Sequence, residues 1–244
     1  MNFVIVLAAT GLFVAVAYNS IRRHPAVWYG VAVVIDVVYG YGVVFGFPPV
    51  VLSVLSVIVQ RGIVATALFV IVMYCGVFSE HSAVRRVVGP IRAELSIIAC
   101  ILAAGHCVNY LQSYVGVLTA NMAVLGDNQR ASLAIACVLM VLLVVLGVTS
   151  ARAVKRSMKA AAWKNVQRLS YLFFALIFLH ELLILYPSAV KGTGDAFATL
   201  VASGVVFGAY FPARLMRYVT DRHGAGRPAP VTGLDEEVSR ALVS

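Results

Sequence analysis

The sequence predicts an all-α polytopic membrane protein, a bundle of about seven transmembrane helices. Of the 244 residues, 61% are hydrophobic and 12% are charged, whereas soluble domains carry roughly 25% charged residues. The mean hydropathy over the whole chain is +0.94. The apolar residues form blocks of about 20, the length at which a helix crosses a bilayer core of ~30 Å. These features exclude an ordinary soluble domain, a disordered chain and a disulfide-stapled scaffold.

The apolar blocks place seven spans along the chain, each separated from the next by a short polar or basic segment. Because the blocks do not alternate in hydropathy, they do not read as strands of a membrane β-barrel. The predicted spans cover roughly 2–18, 26–46, 61–78, 93–115, 131–150, 168–187 and 196–216. The segment 47–60 is too short for a further span. Pro48 and Pro49 should break the preceding helix, so this segment either lies in the membrane interface or extends the third span.

The distribution of basic residues predicts the orientation of the bundle. The chain begins without a positive segment before its first apolar block, which favours a retained helix over a cleaved signal peptide. If the N-terminus lies outside, all but three of the 19 lysines and arginines fall in cytoplasmic segments. The three exceptions are Arg61, Arg130 and Lys191. Such a bias predicts a bacterial-type cytoplasmic membrane protein with an outside N-terminus and a cytoplasmic C-terminus.

Two regions follow from this pattern: a helical membrane domain over 1–218 and a flexible cytoplasmic tail over 219–244, rich in glycine and proline. The cysteines all lie inside apolar blocks and form no C-x-x-C motif, so we expect small core residues rather than a zinc site or covalent haem attachment. They are Cys75, Cys100, Cys107 and Cys137. The sequence contains no nucleotide-binding or flavin-binding glycine motif.

Three ionisable residues fall well inside spans, where such groups are costly and indicate function. They are Asp36, His106 and His180. The two histidines lie about equally deep in spans that run in the same direction, in the outer half of the membrane. They could take opposite axial positions on one haem iron, or each could make an interhelical hydrogen bond. Asp36 could accept a proton from a quinol, or remain a neutral, hydrogen-bonded acid.

Two segments resemble the ferric-reductase-like transmembrane family, and most closely its haem-binding membrane subunits of the MsrQ (YedZ) type. Segment 163–185 matches the family pattern W-K-x-L-H-R-L-x-Y…L-H at Trp163, Lys164, Arg168, Leu169, Tyr171 and His180. Segment 92–111 matches an arginine followed by H-x-x-x-Y, through Arg92, His106 and Tyr110. The resemblance covers roughly 40–215. It implies a six-helix core with an added N-terminal helix.

The resemblance implies that His106 and His180 are the axial ligands of an outer haem b. Many family members have a histidine where this chain has Gln167, and glutamine is a poor iron ligand. We therefore expect one haem per chain, because a second would need unusual ligands. Arg92 is the other cofactor-binding residue that the resemblance implies; with Gln167 it would contact haem propionates or a quinone.

The sequence therefore predicts a membrane b-type cytochrome that relays electrons to an extracytoplasmic oxidoreductase or a ferric acceptor. It predicts an electron-transfer subunit rather than a self-contained enzyme. Electrons would come from a cytoplasmic flavin reductase or a membrane quinol, with a flavin or quinone as a further cofactor. The basic segment 151–168 could dock such a reductase or could simply set the topology. The alternative is a haem-free transporter or assembly subunit that keeps the fold but not the redox role.

Overall fold

The computed structural model describes residues 3–120, 124–192 and 194–225 of the chain. Within these ranges the secondary structure is helical, with one 3₁₀ turn at Gly89–Ile91. The α-helices are α1 (Phe3–Arg23), α2 (Pro25–Phe45), α3 (Pro49–Ile58), α4 (Ile63–Tyr74), α5 (Ala83–Val88), α6 (Arg92–Ala120), α7 (Asp127–Ser150), α8 (Arg152–Ser157), α9 (Ala160–Val190) and α10 (Gly194–Ala225).

The described residues contain seven helical segments long and apolar enough to cross a membrane, which confirms the predicted fold class. Five of them are the single helices α1, α2, α7, α9 and α10. The third span is Pro49–Tyr74, in which α3 and α4 follow one another across a short turn. The segment 47–60 therefore extends the third span, one of its two predicted placements. The fourth span, Ala83–Val117, combines α5, the 3₁₀ turn and most of α6.

The helix boundaries show which residues stop and start each span. Helix α2 ends at Phe45 because Gly46 takes a left-handed conformation, φ 73°, and its N–H bonds back to the Gly42 carbonyl. Glycine adopts this conformation without the steric cost of a Cβ. Pro49 instead begins α3, where its missing N–H costs nothing. At the other end of the chain, α10 continues to Ala225, into the segment predicted as a tail, and the remainder of that tail lies outside the described residues.

Helix α4 lies at the centre of the bundle. Its buried residues point in several directions around the helix, including Ala65, Ala67, Leu68 and Val70. A helix that is apolar all round is one that other helices enclose. One core cluster joins α4 to α1, α2 and α6, and a second joins it to α1, α9 and α10. Helix α4 is therefore packed by other helices on several sides.

Many large apolar side chains face outward, as expected for a surface covered by lipid. Val16, Val44 and Met216 are among the most exposed. Cys75 is buried, in agreement with its predicted place in the core. Cys137 is exposed on α7, so the prediction of a core position is wrong for this residue. In a bilayer a small apolar residue can face lipid as easily as core, and hydropathy does not separate the two.

Candidate functional site

His106 lies half-buried in α6, and the turn before α4 holds its ring in place. Its Nδ1 lies 2.6 Å from the carbonyl oxygen of Gln60. Because a carbonyl oxygen only accepts, Nδ1 must carry the proton and donate it. Gly62, in the same turn, has a φ of +62° and packs under the ring. A Cβ added there would lie 3.2 Å from Nδ1, so glycine suits this position for both its conformation and its size.

Other polar and aromatic groups fix the surroundings of this ring. The Tyr39 hydroxyl on α2 donates to the Gln60 side-chain oxygen at 2.7 Å, which ties the turn to a third helix. Tyr110, one turn along α6, packs against His106 with ring centroids 4.8 Å apart. Contacts from α2 and from α6 itself therefore hold the His106 ring and its acceptor in one orientation.

His180 on α9 is held in the same manner by a different helix. Its Nδ1 lies 3.1 Å from the backbone carbonyl oxygen of Ser132 and 2.9 Å from the Ser132 hydroxyl. Ser132 lies near the start of α7 and is buried. The carbonyl again requires a proton on Nδ1. Both histidines thus donate through Nδ1 to a backbone carbonyl.

The fold brings the two imidazoles to the same end of the bundle, here called the histidine end and defined by Gln60, His106, Ser132 and His180. The rings are close enough for a direct electrostatic interaction. Among the described residues, neither Nε2 makes a hydrogen bond. A neutral imidazole with its proton on Nδ1 presents a lone pair at Nε2. The arrangement therefore offers two nitrogen ligands on two different helices, α6 and α9.

Two buried carboxylates flank the histidines. Asp36 on α2 packs its side chain against Gly105, the residue before His106. Its Oδ1 is buried and has no hydrogen-bond partner among the described residues. Glu181, beside His180, accepts a hydrogen bond from the Ser203 hydroxyl at 2.8 Å, while its Oε2 has no partner within the described ranges. Sequence reasoning singled out Asp36 but missed Glu181, although an acid inside a predicted span is the same signal.

Arg92 and Gln167 lie far from the histidines, toward the N-terminal ends of α6 and α9. Arg92 begins α6, fourteen residues before His106, which is ~21 Å along a helix at ~1.5 Å per residue. It is exposed and lies within electrostatic reach of Tyr210 on α10. The Gln167 amide instead donates to the Thr149 hydroxyl on α7 at 3.1 Å. The Gln167 side chain is thus held against α7.

Charged groups join the helices at the opposite end, here called the basic end and defined by Arg92, Arg152 and Arg214. Arg214 of α10 donates to the Gly76 carbonyl at 2.7 Å and to the Tyr171 hydroxyl at 3.2 Å. Arg152 of α8 pairs with Glu94, whose side chain is only 4% exposed. The hydrogen bond to Glu94 raises the pKa of the Arg152 guanidinium, and the charge of Glu94 acts in the same direction.

The basic-end contacts, like those at Gln60 and Ser132, were not expected from the sequence. Arg214 carried a signal, because a cation near the end of a long apolar helix must find partners. No sequence signal could have predicted the roles of the Gln60 and Ser132 carbonyls, since every residue has a backbone carbonyl.

Within the described ranges, no three histidine, cysteine or acidic side chains come together as a metal site. A six-coordinate haem iron needs two protein ligands, which is the number that the histidine end offers.

Comparison with known proteins gives one informative match. The chain is 36% identical over 161 residues to a protein of Treponema pallidum (strain Nichols) described as an uncharacterized protein. The match covers 66% of this chain and 44% of that protein, so the chain spans less than half of its relative's length. No family model and no solved structure matches the chain. The resemblance to the ferric-reductase-like family therefore stays a prediction.

Proposed function

We propose that this protein is a membrane b-type cytochrome in which His106 and His180 are the axial ligands of one haem. One observation carries the proposal: both rings donate Nδ1–H to a backbone carbonyl at the same end of the bundle. Histidines that ligate metals almost always donate their other ring N–H to a carbonyl, a carboxylate or water. The donor set therefore fits a haem. A bound haem would supply a one-electron couple inside the bilayer.

In this proposal the residues around the rings fix the tautomer of each histidine, raise the basicity of its free nitrogen and exclude water. The Gln60 and Ser132 carbonyls keep each ring in the tautomer that presents the Nε2 lone pair. Because each carbonyl accepts the Nδ1–H, it also raises the basicity of Nε2. One turn along from each histidine, Ala103 and Ile177 pack with Phe69 and Phe173 in an apolar cluster. That cluster excludes water from the space below the rings.

Arg61 follows Gln60 directly and is exposed at the histidine end. A guanidinium pairs well with a carboxylate, so this position suits a haem propionate. The proposed protein relays electrons to an extracytoplasmic oxidoreductase or a ferric acceptor. Its proposed donor is a cytoplasmic flavin reductase or a membrane quinol.

The decisive experiment compares haem content in His106→Ala and His180→Ala at equal membrane yield. Loss of one axial imidazole leaves a weakly held, five-coordinate haem, so each variant should retain only a small part of the haem or shift it to high spin. His24→Ala is the matched control, because His24 is exposed in the turn before α2 and makes no side-chain cap bond. The helices are held by packing and lipid rather than by metal, so yield should not change. A wild-type low-spin spectrum in both variants would refute the assignment.

The buried carboxylates favour a second candidate, a haem-free transporter or assembly subunit with the same fold. Asp36 and Glu181 lie inside the membrane domain with unpartnered oxygens, and such groups mark ion or proton pathways in membrane proteins. Colour separates the two candidates. Protein purified from haem-replete cells should be red with a reduced α-band if the cytochrome proposal holds, and colourless if the transporter proposal holds.

A further inference from the structure

Six basic side chains form one surface at the basic end, on α8 and around the beginning of α9. All six are exposed. The sequence has no acidic residue between Asp127 and Glu181, so this part of the chain supplies no counter-charge of its own. The surface, here called the α8–α9 basic surface, is defined by Arg152, Lys155, Arg156, Lys159, Lys164 and Arg168.

Most of the charge on this surface is not neutralised within the described chain. Arg152 pairs with Glu94 of α6. Among the described residues, none of the other five cations forms an ion pair with an acid. In α8, Arg156 lies four residues after Arg152, and in α9 the same spacing separates a second basic pair, Lys164 and Arg168. Like charges four residues apart repel each other and destabilise a helix, so a bound anion would relieve both repulsions.

The α8–α9 basic surface lies at the level where α7 leaves the hydrocarbon core of a bilayer. Helix α7 has 24 residues, which is ~36 Å at ~1.5 Å per residue, whereas that core is ~30 Å thick. Helix α8 begins two residues after α7 ends. The six cations therefore lie near the depth of lipid headgroups.

A tryptophan beside these cations supports the same depth. The indole N–H of Trp163 donates to the Thr149 carbonyl at 3.0 Å, which holds the start of α9 against the end of α7. The Lys155 ammonium lies 4.4 Å from the centre of the Trp163 ring. Tryptophan is enriched at the membrane–water interface. A cation held on this ring is therefore within reach of lipid phosphates.

We propose that the α8–α9 basic surface binds phospholipids of net negative charge, such as phosphatidylglycerol. Basic clusters next to transmembrane helices attract anionic lipids, and the lipid phosphates supply the counter-charge that this part of the chain lacks. A soluble acidic protein would match the charge as well, but the headgroup depth of α8 and Trp163 favours lipid. The proposal is independent of haem binding, because the surface lies at the opposite end of the bundle from His106 and His180.

The test measures which lipid stays bound when the full-length protein is released from nanodiscs of equimolar phosphatidylglycerol and phosphatidylcholine. Native mass spectrometry should show preferential retention of phosphatidylglycerol by the wild type. Lys164→Gln/Arg168→Gln removes one like-charged pair and should weaken this retention about fivefold for each lost charge. Lys164→Arg/Arg168→Lys keeps both charges and should preserve it. Salt at about 1 M should also weaken retention, because the Debye length falls from ~8 Å at about 0.15 M to ~3 Å.

The matched control is Arg130→Gln/Lys191→Gln, which removes the same net charge at the other ends of α7 and α9. Both side chains are exposed, and their loss should leave the preference for phosphatidylglycerol nearly unchanged. An equal loss in the two glutamine double variants would mean that net charge, rather than this surface, retains the lipid, and would overturn the proposal.

Two further outcomes decide between lipid and the other roles of this segment. Equal retention of the two lipids by the wild type would overturn the proposal and leave a soluble acidic partner, or membrane topology alone, as the role of these cations. If Lys164→Gln/Arg168→Gln lowers the yield of folded protein, Arg156→Gln/Lys159→Gln tests the same surface. Unchanged phosphatidylglycerol retention in a folded variant of either pair would also overturn it.

Discussion

The two ends of the bundle use different kinds of polar contact to join their helices. At the histidine end, His106 and His180 donate to the backbone carbonyls of Gln60 and Ser132. At the basic end, Arg214 ties α10 to the Gly76 carbonyl beyond α4. Helix α4 lies between the two ends, and its buried residues are apolar.

This contrast suits the histidine end to the proposed haem site and the basic end to holding the helices together. Each imidazole uses Nδ1 for a hydrogen bond within the chain, and its Nε2 makes none to the described residues. Arg214 instead uses two of its nitrogens within the chain, on Gly76 and Tyr171, and Glu94 is matched by Arg152. We therefore expect changes at the basic end to affect stability, and changes at the histidine end to affect haem binding.

The largest expected stability effect is that of Arg214→Ala. The variant leaves the Gly76 carbonyl and the Tyr171 hydroxyl without their donor, which should lower the free energy of unfolding by about 2 kcal/mol. Thermal unfolding in detergent measures this loss. Arg222→Ala is the matched control, since Arg222 is exposed and packs on the face of the Tyr218 ring. Loss of haem in Arg214→Ala at unchanged stability would break the proposed division between the two ends.

The sequence predicted the spans well because length and hydropathy decide whether a helix crosses a bilayer. It did not predict every turn between helices, because a turn depends on backbone conformation as well as on hydropathy. The break between α3 and α4 is the clearest case. That turn carries Gln60 and Gly62. It holds His106 in place, although hydropathy alone gives no sign of it.

The candidate site could be predicted only in part, for a related reason. An ionisable residue inside an apolar block is visible in the sequence, and this signal singled out His106 and His180. Their acceptors are backbone carbonyls, which depend on the register between helices rather than on residue type. The resemblance linked Arg92 with Gln167, but helix rotation directs Gln167 toward Thr149 on α7.

After Arg214→Ala, the next largest effect on stability is expected for Gly62→Ala. Both Gly62 and Gly192 have positive φ angles, +62° and +80°, so alanine at either should cost roughly 1–2 kcal/mol of backbone strain. Only the Cβ at position 62 meets His106; nothing lies within 4 Å of a Cβ at position 192. Gly62→Ala should therefore also reduce haem content, measured at equal protein amounts. Equal haem content in the two variants would show that the turn does not position the ring.

A smaller effect is expected for Ser132→Ala. The variant removes the hydroxyl 2.9 Å from His180 Nδ1 but keeps the backbone carbonyl at 3.1 Å. The ring should keep its tautomer, so haem affinity should fall by a few-fold, equivalent to about 1 kcal/mol or less. Titration of the purified protein with haem measures the change. Ser113→Ala on α6 is the control, since its hydroxyl bonds within its own helix. A loss as large as that in His180→Ala would mean that the hydroxyl, not the carbonyl, fixes the ring.

The smallest expected effect is that of Gln167→His, which should not add a second haem. Gln167 donates to Thr149 on α7, whereas position 92 on α6 is an arginine, whose guanidinium has no lone pair to offer an iron. A histidine at 167 would therefore face α7 and would lack an axial partner on α6. A pyridine haemochrome assay should give one haem per chain for the wild type and for the variant. The double variant Arg92→His/Gln167→His sharpens the test, because it supplies an imidazole at both positions. Two haems per chain in the double variant would show that the basic end can rearrange into a ligand site, and the contrast between the two ends would then lie in their residues rather than in the fold.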